Sequence, residues 1–397
     1  MKWSGHLEVS YCTNVHAGEG LGALLSILKG AVSEVKAKQS PTLPFGGGIR
    51  IGAETASRLR QASALKELNT ALQSLGMYVF SVNGFPYGDF AAERVKETVY
   101  EPDWEEDARL EYTLTLAQAL SQLNGPQKRT ISTVAGGFQP TALTLNRRSQ
   151  FMTQFKRLAE GLAIIEAETG ICVRVALEPE PWTTLERVDQ VIPFFEEVVW
   201  PCSPLAHRYL GLCYDTCHQA LAFEDPLDSW RALVQAEIPI LKVQISNALR
   251  LTKPKDPAAR AQLLSFDEPR YLHQVTALTP EGQVLRSLDL DELKNPSQAW
   301  LEAEEWRCHF HVPIWWAGTV DDTLSTTRFF WEEIARLIAN PAAQPHTSNE
   351  EPLHVEVETY SWSVIPEKLR GEASLVDDVC RELDTLRWVM GVEPSSL

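Results

Sequence analysis

Several features that would assign this chain to a familiar class are missing from its 397 residues. No apolar run is long enough to cross a bilayer, and the first ten residues lack the apolar core of a secretory signal. The seven cysteines are scattered, without the even count and regular spacing of a disulfide framework. We therefore expect a cytoplasmic protein with reduced thiols and no direct membrane insertion.

Positive charge is also scarce. Lys and Arg number 36 against 53 Asp and Glu, which gives a formal net charge of −17. An acidic surface repels a phosphate backbone, so we do not expect a nucleic acid as partner. The simpler explanation of the acidity is solubility.

The chain lacks the signature of a nucleotide-binding sheet. No Gly-x-Gly-x-x-Gly turn follows the first strand-like segment, and the triplet Gly46-Gly-Gly lies before its strand. This disfavours a doubly wound fold. Because no internal repeat, low-complexity segment or linker divides the chain, we expect a single domain over residues 1–397, a size that suits one barrel with insertions.

Strand-like and helix-like patterns alternate along the chain, which predicts an α/β fold of the (β/α)8 TIM-barrel type. The expected strands are Leu7–Asn14, Pro44–Ile51, Met77–Asn83, Arg129–Val134, Val173–Glu178, Tyr209–Asp215, Leu241–Ser246 and Leu353–Glu358. The expected helices are Glu19–Lys38, Glu54–Leu75, Trp104–Leu123, Arg147–Thr169, Leu185–Val198, Leu227–Gln235, Thr323–Ile338 and Leu375–Met390.

One connection is too long for a helical crossover, since more than a hundred residues separate Gln244 from Glu358. Within it, Arg270–Ala277 and Val284–Leu290 flank a Thr-Pro-Glu-Gly turn and predict a β-hairpin. We interpret residues 248–322 as an insertion between strands seven and eight that forms a lid or substrate wall over the barrel mouth. A decorative surface hairpin is the alternative.

Four strands end in side chains that can bind a metal, each on the inward parity of its strand. These are Glu178, Asp215, Gln244 and Glu358. The carboxyl ends of parallel strands meet at the mouth of a barrel, so the four should lie close together. Oxygen donors favour magnesium or manganese, and a divalent ion would relieve the repulsion among three carboxylates. For any one residue alone, an inward polar side chain in a water-filled barrel is the simpler interpretation.

Histidines near the predicted mouth widen the choice of metal. If His311 or His218 joins the ligands, manganese, iron or zinc becomes competitive. In Asp215-Thr-Cys-His218 the turn after a strand brings an imidazole over the mouth, where it can contact substrate; a surface histidine at a helix start is the alternative. Further candidates for binding substrate are Asn14, His16, Asn83, Glu180, Lys242 and His309.

Short motifs at these strand ends resemble those of a known family. Leu177-Glu-Pro, Tyr214-Asp-Thr-x-His218, Lys242-x-Gln244-x-Ser246 and Val357-Glu358 are similar to motifs of the xylose isomerase-like TIM barrels. That family includes sugar-phosphate isomerases and epimerases, hydroxypyruvate isomerase and apurinic endonucleases. The resemblance implies one metal ion on Glu178, Asp215, Gln244 and Glu358, with His218 on the substrate.

A closer resemblance spans nearly the whole chain. Tyr11–His16, Val82–Gly88, Cys213–Gln219, His309–Pro313 and Val355–Tyr360 are similar to segments of the EboE family of metabolite traffic proteins. These belong to a bacterial operon that also encodes a prenyltransferase and a sugar-phosphate-cyclase-like enzyme. The resemblance implies a place in an Ebo-type metabolite-processing or trafficking pathway, with other proteins of that cluster as partners, but it brings no defined reaction.

Functions of different classes fit these residues. The first is a metal-dependent isomerase or epimerase that acts on a sugar-like α-hydroxy carbonyl metabolite through an enediolate, with Glu178 and Glu358 as the proton-transferring pair. The second is a barrel that binds or escorts a metabolite without converting it. The third is a metal-dependent phosphoester hydrolase, which the histidines favour and the overall acidity opposes when the substrate is DNA.

Overall fold

The alternating strand and helix segments form a barrel of parallel strands whose carboxyl ends lie at the same end of the barrel. The structure is a computed structural model and describes residues 1–3, 5–85, 95–138, 143–344, 351–370 and 372–392. Its strands are β1 Lys2–Trp3, β2 Leu7–Tyr11, β3 Phe45–Arg50, β4 Met77–Asn83, β5 Lys128–Val134, β6 Cys172–Glu178, β7 Leu210–Asp215, β8 Ile240–Ile245, β9 Leu249–Leu251, β10 Val275–Leu278, β11 Val284–Ser287, β12 Glu305–Cys308, β13 Ser325–Thr326 and β14 Leu353–Val357.

A nine-stranded sheet runs in the order β1-β2-β14-β8-β7-β6-β5-β4-β3. All its neighbours are parallel except the short β1, which pairs antiparallel with β2. A parallel bridge between Cys12 and Gly48 joins the β2 and β3 ends of the sheet and nearly closes it. The predicted α/β barrel is therefore confirmed, with strand ends that differ by a few residues from those expected.

Most helices cover the outside of this sheet, whereas others, among them Pro257–Leu264 and Gln298–Glu302, pack with the apolar cluster of the second sheet. The helices are α1 Gly20–Ile27, α2 Ser33–Gln39, α3 Ala53–Arg58, α4 Ala62–Ser74, α5 Asp107–Gln122, α6 Leu145–Thr169, α7 Val188–Phe194, α8 Trp200–Cys202, α9 Ala206–Tyr209, α10 Thr216–Leu221, α11 Pro226–Gln235, α12 Pro257–Leu264, α13 Gln298–Glu302, α14 Arg328–Ile338, α15 Glu367–Arg370 and α16 Leu375–Met390. Across the described ranges, no helix combines the length and the apolarity that crossing a membrane requires.

Three expected helices are not continuous α-helices, and the one predicted at Leu185–Val198 passes into a π-helical turn, Phe195–Val199. The one predicted at Glu19–Lys38 contains a π-helical turn where Gly30 leaves helical backbone angles, as glycine does most readily. The one predicted at Glu54–Leu75 is two helices, α3 and α4. Leu59 and Leu68 are both buried, yet residues nine apart lie on opposite faces of a continuous helix. The turn between α3 and α4 lets both face the barrel.

Period-two alternation separates the outer apolar layer from a polar barrel interior. In β14 and β8, Val355 pairs with Val243 in register, and both belong to the apolar core under the helices. The alternate positions Lys242 and Glu356 lie inside the barrel, fully buried and ion-paired at 2.9 Å. The interior of this barrel is thus charged as well as packed.

A second sheet lies between β8 and β14 in the chain. It has five strands in the order β11-β10-β12-β9-β13, all antiparallel. The pairing of Val275 with Ser287 and of Leu278 with Val284 forms the hairpin, whereas β9, β12 and β13 had no counterpart in the expected hairpin. The sheet has its own apolar cluster, and it extends beyond residue 322 because β13 pairs with β9. His309 and His311 follow β12 directly.

The triplet Gly46-Gly-Gly, expected before its strand, lies within β3, and at Gly48 another side chain comes close to the backbone of this strand. A Cβ placed there would overlap the carboxyl group of Glu356, which Lys242 holds in place. We expect Gly48→Ala to lower the free energy of unfolding by about 1–3 kcal/mol in urea titrations. Gly22→Ala is the matched control, because a Cβ on this α1 residue meets nothing within 4 Å. Equal losses in the two variants would contradict this account.

Candidate active site at the barrel mouth

Three carboxylates converge at neighbouring strand ends. Glu178 closes β6, Asp215 closes β7 and Glu358 follows β14, and all three are buried. One oxygen from each lies within 4.8 Å of the others. Glu178 Oε2 and Asp215 Oδ2 accept no hydrogen bond from any described residue. Two buried carboxylate oxygens in this group are therefore left without a hydrogen-bond donor among the described residues.

The charges of this carboxylate group oppose one another. Burial raises the pKa of Glu178 well above its ordinary value, and the charges of Glu358 and Asp215 raise it further. Burial, helped by Asp215, raises the pKa of Glu358 to about 7. Burial also works against the ionised form of Asp215, but the nearby His218 and His311 together with the hydrogen bonds from the Ser246 hydroxyl and the His218 N–H outweigh burial and lower the pKa of Asp215. A divalent ion would remove the repulsion, and these oxygen donors fit one.

Gln244 lies beside the three carboxylates with its amide engaged. The Nε2 group donates to Glu358 Oε2, and Oε1 accepts from the Cys213 thiol at 2.7 Å. Its oxygen is thus paired with Cys213, and only a rotation of the amide would offer that oxygen to an ion. The role of Gln244 as a ligand stays a prediction.

Asp215 explains the position of His218. Asp215 Oδ1 accepts from the backbone N–H of Cys217 at 2.7 Å and of His218 at 3.0 Å, and from the Ser246 hydroxyl at 2.6 Å. It therefore caps α10 and fixes the first turn of that helix. This places His218 Nδ1 3.7 Å from Glu178 Oε1. The Asp-x-x-His spacing therefore corresponds to a capped first helical turn, which brings His218, a residue following β7, next to Glu178 at the end of β6.

Three histidines form a second cluster beside the carboxylates. The Nε2 atom of His309 lies 3.2 Å from that of His218 and 3.1 Å from that of His311. His311 Nδ1 is 3.0 Å from the Glu358 carbonyl oxygen, which only accepts, so this nitrogen carries the hydrogen. His309 Nδ1 is 2.7 Å from Gln274 Oε1 and donates likewise. Both rings therefore direct an unprotonated Nε2 to one point.

Burial keeps the rings of His309 and His311 neutral. It lowers the pKa of His309 well below its ordinary value and that of His311 to about 4. Two nitrogen lone pairs at this separation repel unless a cation lies between them. Asp215, Glu180 or Cys217 can each complete a three-ligand group with two of the histidines. The hydrogen bonds on Nδ1 orient the rings as partners of metal-bound histidines do.

The cavity at the mouth contains six of the residues expected in the site. They are Asn14, Glu178, Glu180, His218, His309 and Glu358. Asn14 Nδ2 donates to Glu358 Oε1 at 2.7 Å, and Glu180 Oε1 accepts from the Tyr100 hydroxyl at 2.5 Å. Both carboxylates are thus oriented by neighbours that themselves face the cavity.

Three other expected residues lie elsewhere. Lys242 and Asn83 occupy a deeper layer of the barrel, where Lys242 Nζ donates to Asn83 Oδ1 at 2.7 Å and Asn83 Nδ2 donates to Glu356 Oε2 at 3.0 Å. Neither lines the mouth cavity. His16 contacts the Tyr11 hydroxyl at 2.9 Å and lines a separate cavity near α1. Their roles in binding substrate stay predictions.

Some residues of the cavity had no place in the expected site. Tyr100, Tyr271 and Tyr360 line it. Gln274, the residue before β10, accepts a hydrogen bond from His309 and so orients that ring. Tyr360 follows Glu358 by two residues, so proximity to a strand end was its signal. Gln274 and Tyr271 lie in the predicted hairpin, and nothing in their local pattern distinguishes them from surface residues.

A family model described as xylose isomerase-like TIM barrel matches residues 46–262, more than half of the chain. The chain belongs to this family. Of the segments that carry the EboE resemblance, Val82–Gly88 lies partly outside the described residues. No curated protein matched the sequence.

Solved structures with similar folds include sugar epimerases. D-psicose 3-epimerase from Clostridium cellulolyticum H10, solved with D-tagatose, has a TM-score of 0.49 at 10% identity over 97% of this chain and 99% of that one. D-allulose 3-epimerase from Methylomonas sp. has a TM-score of 0.41 at 14% identity over 68% and 85%. The IOLI protein, solved with a zinc atom, has a TM-score of 0.39 at 12% identity over 60% and 73%. At these identities the likeness concerns the fold alone.

Proposed function

We propose that the protein is a divalent-metal-dependent isomerase or epimerase that acts on a sugar-like α-hydroxy carbonyl metabolite through an enediolate. The observation that carries the proposal is the pair Glu178 and Glu358. Their oxygens lie within 4.8 Å of each other and of Asp215, and both residues line the same cavity. A binding protein needs a ligand site but gains nothing from two closely placed proton-transfer groups.

Glu178, Asp215 and Glu358 would hold the ion, with Gln244 as a fourth donor after its amide rotates. A bound divalent ion supplies Lewis-acid polarisation of a carbonyl oxygen. One of Glu178 and Glu358 removes the proton from the carbon beside the carbonyl, and the other returns a proton. Asn14 orients Glu358 through Oε1, and His218, 3.7 Å from Glu178, is placed to contact a substrate hydroxyl.

The test is deuterium incorporation into hydroxyacetone, dihydroxyacetone and D-fructose in heavy water, followed by mass spectrometry. We expect exchange by protein loaded with manganese or magnesium, loss of exchange after chelation, and recovery when either ion is restored. Zinc is the third ion to compare. Binding of a compound by metal-loaded protein without exchange would contradict the enzyme and favour the metabolite-binding or traffic function.

A metal-dependent phosphoester hydrolase is a second candidate, and the histidine cluster favours it. Two neighbouring ion sites that share Asp215 would suit attack of water on a phosphoester. If the protein is such a hydrolase, we expect elemental analysis to find two ions per chain and the protein to hydrolyse p-nitrophenyl phosphate. We expect His309→Asn to remove one ion and to leave the other. One ion per chain in the native protein would contradict it.

The cellular context rests on the motif resemblance alone. A place in an Ebo-type pathway, with other proteins of that cluster as partners, and a cytoplasmic location stay predictions. Copurification of the untruncated chain with the products of neighbouring genes would test the partners.

A further inference from the structure

The cavity at the mouth has a polar floor and an apolar wall. The floor consists of residues at strand ends, among them Glu178, His218 and Glu358. The wall comes from other parts of the chain and consists of Phe85, Val95, Val99, Tyr271, Leu272 and Tyr360. The empty space, with the part open to solvent included, is about 520 Å³.

The wall is held in place by contacts within the protein. The backbone N–H groups of Val95 and Lys96 donate to the Arg270 carbonyl at 2.7 and 2.9 Å, which ties the two sides of the wall together. The Tyr271 and Tyr360 rings meet edge to face with centroids 5.0 Å apart. Tyr360 also packs on His311, with ring centroids 4.6 Å apart. The apolar surface is therefore preorganised beside the floor.

The charge of the cavity disfavours an anionic substrate. Glu178, Glu180 and Glu358 all line it, and of the described lining residues only Lys96 is a lysine or arginine. The Lys96 ammonium group is ion-paired with Asp289. Phosphate sites normally offer arginine forks, free lysines or helix amino ends. The described lining presents a cation that already has a carboxylate partner.

We propose that the substrate is an α-hydroxy carbonyl compound with no phosphate group that carries an apolar substituent, either a hydrocarbon ring or an alkyl group, next to the reacting carbons. This inference rests on the proposed function for the head of the molecule. The carboxylates and histidines take the oxygen-bearing head, and the tyrosine, valine and leucine wall takes the apolar part. Aromatic walls of this kind bind rings by burial and by edge-to-face contact.

The experiment compares three probes that share the reacting group. 2-Hydroxyacetophenone carries a phenyl ring, hydroxyacetone carries a methyl group, and dihydroxyacetone phosphate carries an anion. Calorimetry on the metal-loaded full chain gives the Kd values, and deuterium incorporation gives turnover. We expect 2-hydroxyacetophenone to bind at least about tenfold more tightly than either of the others, because it buries the larger apolar area.

Val99→Ser removes apolar surface from the wall at a half-exposed position, where folding should tolerate it. We expect this substitution to raise the Kd of 2-hydroxyacetophenone about three- to tenfold and to leave the Kd of hydroxyacetone unchanged. Val284→Ser, at an exposed valine of β11 outside the cavity, is the matched control and should change neither. A loss of equal size for both neutral probes in Val99→Ser would overturn the assignment of the wall.

The outcomes separate the two proposals. Tighter binding of dihydroxyacetone phosphate than of 2-hydroxyacetophenone would overturn the proposed substrate class, even if deuterium exchange shows that the protein is an enzyme. Preferential binding of 2-hydroxyacetophenone without exchange on any probe supports the substrate class and contradicts the proposed catalysis.

Discussion

Glu358→Gln is expected to lower the rate of deuterium incorporation by about a hundred- to ten-thousandfold, the contribution of one acid–base group. The amide keeps the size of the side chain and can still accept from Asn14, the donor now 2.7 Å away. It cannot exchange a proton with a carbon acid. The variant loses one of three mutually repelling buried carboxyl groups but sets its own amide N–H against the Gln244 donor, so its Tm should stay close to that of the wild type.

Because Glu358 is also a candidate metal ligand, the metal content of the variant has to be measured alongside its activity. Glu178→Gln should show the same loss, since the two residues act as a pair. Glu367→Gln, an exposed glutamate nine residues along the chain, is the control and should leave exchange intact. A Glu358→Gln protein that retains its ion and exchanges within about tenfold of the wild type would exclude Glu358 as acid or base.

Lys242→Met is expected to destabilise the fold by about 3–5 kcal/mol, the usual effect of removing one partner of a buried ion pair. Lys242 and Glu356 are both fully buried and lie 2.9 Å apart. Burial acts to lower the pKa of Lys242, but Glu356, Cys213, Cys12 and Glu178 together outweigh burial and raise that pKa. Methionine fills the space of the lysine stem and leaves Glu356 without its countercharge. Urea titrations monitored by tryptophan fluorescence would measure the change in the free energy of unfolding.

The double variant Lys242→Met/Glu356→Gln isolates the pair. Removing the orphaned charge should recover at least about 1 kcal/mol, because the two side chains are directly coupled. Lys368→Met, at an exposed lysine, is the control and should change the stability by less than about 0.5 kcal/mol. Strictly additive losses in Lys242→Met and Glu356→Gln would show that the ion pair does not stabilise the barrel.

Much of the barrel was predictable because its signal is local. Alternation in Leu353–Val357 and in Cys172–Glu178 marks an inner and an outer face, and the convergence of the strand ends follows from parallel order. Burial of residues on both sides of a helix is not local. The break between α3 and α4 depends on which face of each helix the barrel covers, so the pattern alone predicted one continuous helix.

The histidine cluster is a second feature that the sequence pattern could not predict. His309 and His311 belong to a segment that pairs with β9 and β10 across long stretches of sequence. The local pattern of Cys308–Pro313 does not predict that His309 Nε2 lies 3.2 Å from His218 Nε2. The hydrogen bond from His309 to Gln274, which sets the direction of that nitrogen, likewise joins residues whose patterns are independent.

The sequence by itself determined the class of fold and the identity of the strand-end carboxylates, because side-chain parity and parallel order act within single segments. Only the tertiary structure decided that Gln244 pairs its oxygen with Cys213, that Lys242 lies below the mouth beside Glu356, and that tyrosines from three separate segments line the cavity. These contacts depend on register, on the packing of the second sheet and on the neutralisation of buried charge. Such terms arise only when distant parts of the chain are brought together.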